Sequence, residues 1–316
     1  AYVDQEQTAN EKVAFADRLR ALLSGMGLKE TVSLSLVTPQ TAQMFLAPET
    51  SVVELVNPLS QELSVFRPHM FISALTAAAY NRNRQMPNLR FFEIGNVAWK
   101  KGEEYIQKKQ VVAVLAGQRQ EPSWHGQAQN FDFYDIKGLA YAFLGKLGLH
   151  NLSHASGSEP FWDSECAQIM MQDQVIGSFG RLSAEVCDHF KIKTADVFAF
   201  CFDFETLYAC RQQEKLFEAI PRFPSVPFDL AILVDVDTPV EAVETAIRRS
   251  AGPYLRSCGL FDFYQGEQVP PGRKSLAFSL TFSSKERTLS DEEVEEGVKG
   301  ILQHLATSLH AELRPR

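Results

Sequence analysis

Apolar and polar positions alternate most cleanly in the last third of the chain. Leu276, Phe278, Leu280 and Phe282 alternate with Ser275, Ala277, Ser279 and Thr281. This predicts a strand over Lys274 to Phe282 with one face buried and one open. Asp229 to Asp235 and Gly259 to Tyr264 predict two further strands, and Gln268-Val269-Pro270-Pro271-Gly272 predicts the loop of a hairpin, because consecutive prolines cannot donate to a ladder. Val240, Val243, Ile247 and Ala251 recur at steps of three and four, one stripe of a helix that Gly252-Pro253 ends. Thr238-Pro239-Val240-Glu241 has the spacing of a capping box with proline at the first helical position. Ser290 and Glu293 form a second such box, before a helix lined by Val294, Val298, Ile301, Leu302, Leu305 and Leu309.

The order strand, helix, strand, strand, helix, short strand predicts a ferredoxin-like βαββαβ sandwich with both helices on one sheet face. The uncovered face is expected to carry Ser275, Ser279 and Thr281 with Asp262 and Tyr264. Several RNA-binding folds use a sheet in this way. Arg222, Arg273 and Lys274 are expected near its rim, so Arg222, Tyr264, Arg273, Lys274, Ser275 and Ser279 are the candidate RNA contacts.

Upstream, Val13, Phe15, Leu19, Leu22 and Leu23 predict a helix over Glu11 to Met26, followed by a strand from Thr31 to Val37. Arg67-Pro68 opens a predicted helix through Tyr80, a strand follows over Leu89 to Trp99, and a third helix follows Asp132. Short strands are expected at Val111 to Ala116, Ala167 to Met171, Val175 to Gly180 and Val197 to Phe204. Mixed strands and separate helices indicate an α+β architecture with a largely antiparallel sheet. The polar stretch Arg211 to Lys215 marks the boundary, giving a module over 1–212, a linker over 213–221 and a second domain over 222–316.

The chain has 316 residues, enough for two cores. Its net charge is −8, and Lys215 to Arg316 contains 12 basic and 15 acidic residues, so RNA contact must be local rather than broad. No DNA partner is expected. The five cysteines (Cys166, Cys187, Cys201, Cys210, Cys258) lack C-x-x-C spacing and read as buried free thiols, with no metal assigned. No run approaches a membrane span and Ala1 to Glu6 is no signal peptide, so the chain is read as cytoplasmic. His150 and His154 stand four apart without the glutamate of a zinc helix and read as loop residues. There is no phosphate loop, dinucleotide fingerprint or nucleophile elbow.

Five segments, in order, resemble the ferredoxin-fold anticodon-binding domain that closes the bacterial phenylalanyl-tRNA synthetase beta subunit. They are Phe223-Pro224-Ser225-Val226, Asp229-Leu230-Ala231, Leu260 to Gly266, Lys274-Ser275-Leu276-Ala277 and Arg287 to Val294. Asn57-Pro58-Leu59-Ser60 with Glu62, Ser64 and Arg67, then Asn81, Leu89 to Val97, Asp132 to Gly138 and Ile176 to Leu182, resemble the same subunit's class II synthetase-like module. Two departures stand out: Pro227-Phe228 where basic residues are usual before Asp229, and Leu182-Ser183-Ala184 in place of Leu-His-Pro.

The resemblance implies a catalytic alpha subunit as partner in an α2β2 enzyme, tRNA(Phe) as the bound RNA, and ATP with Mg2+ handled by the assembled enzyme and not by this chain. It also implies that the helix Glu11 to Met26 and the strand after it meet the alpha subunit. A C-terminal portion of a longer subunit is expected, since its editing and magnesium-site regions are not recognisable here. No catalytic residue is assigned. Family members that form adenylates carry Arg-x-Glu on one strand, whereas Arg90-Phe91-Phe92-Glu93 is one residue longer and turns the two side chains to opposite faces. Gly177-Ser178-Phe179-Gly180-Arg181 matches only loosely the third motif, a glycine-rich strand leading to an arginine on a helix. Two alternatives remain open: an ATP site built on Arg90, Glu93 and Arg181, and an assembly scaffold with no RNA contact.

Overall fold

The computed structural model describes residues 3–150, 152–157, 159–172, 174–192, 196–211 and 222–314; the expected linker 213–221 lies outside them. The chain divides into two units, Ala1–Lys215 and Leu216–Arg316.

In the larger unit, helix α1 (Val3–Gly25) leads to the short strand β1 (Lys29–Glu30). Helix α2 (Phe71–Arg82) precedes the long hairpin β2 (Leu89–Lys101) and β3 (Glu104–Ala116), and α3 (Phe133–Lys146) follows. Strands β4 (Leu152–Ser156), β5 (Trp162–Met171), β6 (Gln174–Leu182) and β7 (Val197–Asp203) come next, and β7 runs straight into α4 (Phe204–Cys210). The sheet order is β1-β2-β3-β7-β6-β5-β4, antiparallel except for β1 on β2. Both faces of its centre are covered. Val111, Ala113, Phe200 and Phe202 pack with α1, α3 and α4. Val112, Val114, Ala199 and Cys201 pack with α2 on the other side. That double burial is why β3 and β7 read as continuous apolar runs instead of alternating ones.

Three expectations change here. The strand over Thr31 to Val37 is broken: only Lys29–Glu30 and Leu36–Val37 are strand. Between them the Ser33 N–H donates to the Glu93 carboxylate at 3.1 Å instead of to a neighbouring strand. The helix expected from Arg67 begins at Phe71, and Arg67 is buried ahead of it. His154 lies within β4, its ring nitrogen on the Tyr141 hydroxyl, and not in a loop.

The smaller unit is the expected βαββαβ sandwich. Its elements are β8 (Val226–Asp235), α5 (Val240–Ser250), β9 (Leu255–Tyr264), β10 (Arg273–Phe282), α6 (Asp291–Leu309) and β11 (Glu312–Leu313). The strand order is β9-β10-β8-β11, all antiparallel. Leu230, Ile232, Val234, Leu276, Phe278 and Leu280 meet Val243, Ile247, Val298, Ile301 and Leu305 in one core. Ser290 and Glu293 form the expected capping box. The first box does not form: α5 starts one residue later, with Pro239 as its N-cap and no side-chain cap bond. In β9 an irregularity between Leu260 and Asp262 shifts the register. Cys258 and Leu260 pair with core residues before it, and Asp262 and Tyr264 pair with Ala277 and Ser275 after it. The bulge thereby sends Tyr264 to the helix-free face.

Candidate functional site

The helix-free face of the small sheet holds most of the candidate contacts, but unequally. Ser279 and Asp262 are exposed, Tyr264 is half-buried, and Arg222 is exposed just before β8. Ser275 is 2% exposed, against the expectation of an open position. Arg314 covers it, donating from Nη1 to the Ser275 hydroxyl at 3.3 Å while its guanidinium lies 6.0 Å from the Tyr264 ring centre.

Two of the three expected rim cations are also placed differently. Lys274 alternates onto the helix side with Leu276, is buried, and donates its ammonium to the Val236 carbonyl at 2.8 Å. Arg273 donates to Asp235 at 3.1 Å and to the Leu233 and His310 carbonyls, each at 3.0 Å. Both hold loops onto the sheet. Sequence reasoning missed Arg314, because nothing in local spacing shows that a C-terminal residue returns across the first strand.

In the larger unit the sequence-flagged charges separate as the strand period requires. Arg90 is exposed, 5.2 Å from the Phe131 ring centre and donating to the Arg119 carbonyl at 2.6 Å. Glu93 is buried on the other side, 3.1 Å from Arg67 Nη1. It also accepts from the hydroxyls of Thr31 at 3.1 Å and Ser33 at 3.0 Å. Arg67 in turn donates to the Ser73 hydroxyl at 2.6 Å and the Asn96 carbonyl at 3.0 Å. Burial pulls the Arg67 guanidinium below its ordinary value, and Glu93 partly restores it.

Arg181 sits on β6 among Asp163 at 3.0 Å, Asp196 at 3.3 Å and Glu165 at 3.4 Å, so its charge is spent on carboxylates. The neighbouring glycines have a packing reason: a Cβ at Gly177 would meet the Phe202 ring, and one at Gly180 the backbone of Cys166. β6 leads through Ser183 into a short helix, Ala184–His189, whose first turn carries Glu185, and β7 runs into α4, whose first turn carries Glu205. Asp132 and Asp135 form a capping box, with Asp135 also 2.9 Å from Arg119.

A cleft of about 510 Å3 opens on the α2 side of this sheet, lined by Phe45, Trp99, Phe161 and Val175 with Lys108 and Asp203. Among the described residues no arginine lines it, Lys108 is 3.6 Å from Asp203, and Glu159 adds a further acid. His69, also in its wall, is driven down to about 3 by burial and is therefore neutral near pH 7. Such a lining offers no fixed cation pair for a triphosphate. Among the described residues no three His, Cys, Asp or Glu side chains gather as a metal-ligand group. The five cysteines are free, with burial pushing Cys187 and Cys258 each up to about 11. No helix among the described residues is long and apolar enough to cross a membrane.

Residues 3–204 match the family described as the phenylalanyl tRNA synthetase beta chain CLM domain. The chain belongs to this phenylalanyl-tRNA synthetase beta-chain family. Residues 221–314 match the family described as the ferredoxin-fold anticodon binding domain. Among curated relatives, the phenylalanine–tRNA ligase beta subunit of Geobacillus kaustophilus is 33% identical over 94% of this chain, and that of Clostridium acetobutylicum 32% identical over 94%. The chain spans 37% of the length of each of these beta subunits. A solved pyrrolysyl-tRNA synthetase from Desulfitobacterium hafniense is similar over 66% of this chain and 70% of that one, with 15% identity and a TM-score of 0.49.

Proposed function

We propose that this chain works as the non-catalytic C-terminal portion of a phenylalanyl-tRNA synthetase beta subunit. In this reading it supports a catalytic alpha subunit and contacts the anticodon region of tRNA(Phe) during ATP-dependent phenylalanylation. The assembled enzyme, α2β2 and cytoplasmic, binds ATP and Mg2+ in the alpha subunit. The observation that carries the non-catalytic part is the arginine-free, acid-rimmed cleft, together with Arg90 and Arg181 spent on partners elsewhere.

The RNA part rests on Tyr264, whose ring the β9 bulge turns to the helix-free face. A base stacked on such a ring contributes about 1–3 kcal/mol. Tyr264→Ala in the assembled enzyme is expected to raise the Michaelis constant for tRNA about tenfold while leaving phenylalanine activation intact. Unchanged tRNA kinetics would favour the scaffold reading. Arg273→Ala and Lys274→Ala are unsuited to this test, because both side chains hold the domain together.

The alpha-subunit contact is proposed at α1 and the segment after β1. Arg20 ties the two together through Glu30 at 2.7 Å. Val32 and Leu34 stand 90% and 70% exposed while Glu93 pins the intervening Ser33, an apolar edge held ready at no further ordering cost. Addition of the alpha subunit is expected to slow amide exchange across residues 11–37. An unchanged exchange pattern there would move the interface elsewhere.

A further inference from the structure

The last strand closes one corner of the face just described, and it does so with a fixed geometry. β11 pairs with β8 at Ile232 and Leu233. The Arg314 N–H then donates to the Ala231 carbonyl at 3.0 Å, so the backbone that carries the side chain is part of the ladder. Its guanidinium lies over Tyr264 and donates to Ser275, two of the candidate contacts. Arg273 stabilises the same arrangement from the other side: it donates to the carbonyl of His310, the left-handed cap at φ 49°, and lies 3.5 Å from Glu312.

The charges around this corner explain why that matters. Asp229 and Asp262 are exposed on the helix-free face, and the cation that sequence alternation assigns to it, Arg273, is tied to Asp235 and Glu312. An RNA phosphate approaching Tyr264 would otherwise meet an acidic surface. A half-buried guanidinium over the ring, anchored through its own backbone, offsets that acidity locally. It also restricts the ring and the Ser275 hydroxyl to one arrangement, which lowers the ordering cost of binding.

We propose that Arg314 is an RNA-recognition residue. It holds Tyr264 and Ser275 in their binding arrangement and supplies the cation for the phosphate beside the nucleotide stacked on Tyr264. This rests on the anticodon-contact reading above and adds a residue to it.

The test measures binding of a fluorescently labelled tRNA(Phe) anticodon stem–loop to the full chain over a range of salt concentrations, with circular dichroism confirming the fold of each variant. Arg314→Ala is expected to weaken binding about tenfold and to reduce the salt slope by about one. Arg314→Lys keeps the charge and should restore the slope, yet only part of the affinity, because an ammonium lacks the planar fork that stacks and donates twice. Wild-type affinity and slope in Arg314→Ala, with Tyr264→Ala weakened, would overturn the role of Arg314 and leave the face reading standing. Wild-type binding in both variants would overturn the face reading and this proposal with it. Tighter binding in Arg314→Ala would also overturn it, making the residue a lid over the site instead of a contact.

Discussion

Replacing Glu93 with alanine is expected to lower the unfolding free energy of the larger unit by about 3–5 kcal/mol, because it strands the Arg67 guanidinium in the interior. Both side chains are 3% exposed, so water cannot substitute for the lost partner. The whole stability of such a domain is of the order of 5–15 kcal/mol. A loss of this size brings the unit close to unfolding at ordinary temperatures. The double variant Arg67→Met/Glu93→Leu removes both charges together and should recover much of the loss, which denaturant titration of Arg67→Met, Glu93→Leu and the double will show as a large coupling. Additive effects would mean that the pair does not act as a unit. The same carboxylate holds Thr31 and Ser33, so any folded fraction of Glu93→Ala should also bind the alpha subunit less tightly.

The second large effect is a dependence on pH carried by His69. Its ring lies 4.5 Å from Phe71, 4.9 Å from Phe161 and 5.7 Å from Phe45 between ring centres, and burial lowers it to about 3. The unfolded chain takes up the proton near the ordinary histidine value of about 6.5. The stability linked to the neutral ring is therefore fully present above about pH 6.5 and is lost as the pH falls toward 3, at up to about 1.4 kcal/mol per pH unit. Between pH 7 and pH 5 the expected loss is about 2 kcal/mol. His69 Nδ1 accepts the Phe71 N–H at 3.2 Å, and the carbonyl of His69→Gln can do the same without titrating. Unfolding free energies of wild type and variant at the two pH values isolate the contribution. Equal pH slopes in the two proteins would show that the folded chain takes up a proton at His69 as readily as the unfolded one.

Local pattern was enough for much of the architecture. The stripe from Val294 to Leu309 and the box at Ser290 and Glu293 depend on neighbours within a few residues and appear as read, and the alternation through Leu276 to Phe282 forms the expected strand, although Ser275 and Ala277 on its other face are buried. The separation of Arg90 from Glu93 is likewise a matter of strand period. The expectation that these two charges do not share one site was therefore legible in the chain itself.

The tertiary structure decided where each charge ends up and which face each aromatic joins. An irregularity in β9 sets the side on which Tyr264 lies, and a register shift of one residue reverses every later side chain. Lys274 looked like a rim cation because only its own strand was in view, whereas its ammonium is taken by a carbonyl 38 residues away in sequence. Arg314 and Ser275 are 39 residues apart, and Arg67 and Glu93 are 26 apart. Such pairs form because the buried donor or acceptor must be satisfied by whatever group the packing brings near. Hydrophobic period is written in adjacent residues, so the sequence alone determined most of the strands and helices and the family resemblance. The choice of partner for each charged group is made across the assembled sheet, and only the folded chain could show that Arg314 shares its corner with Tyr264.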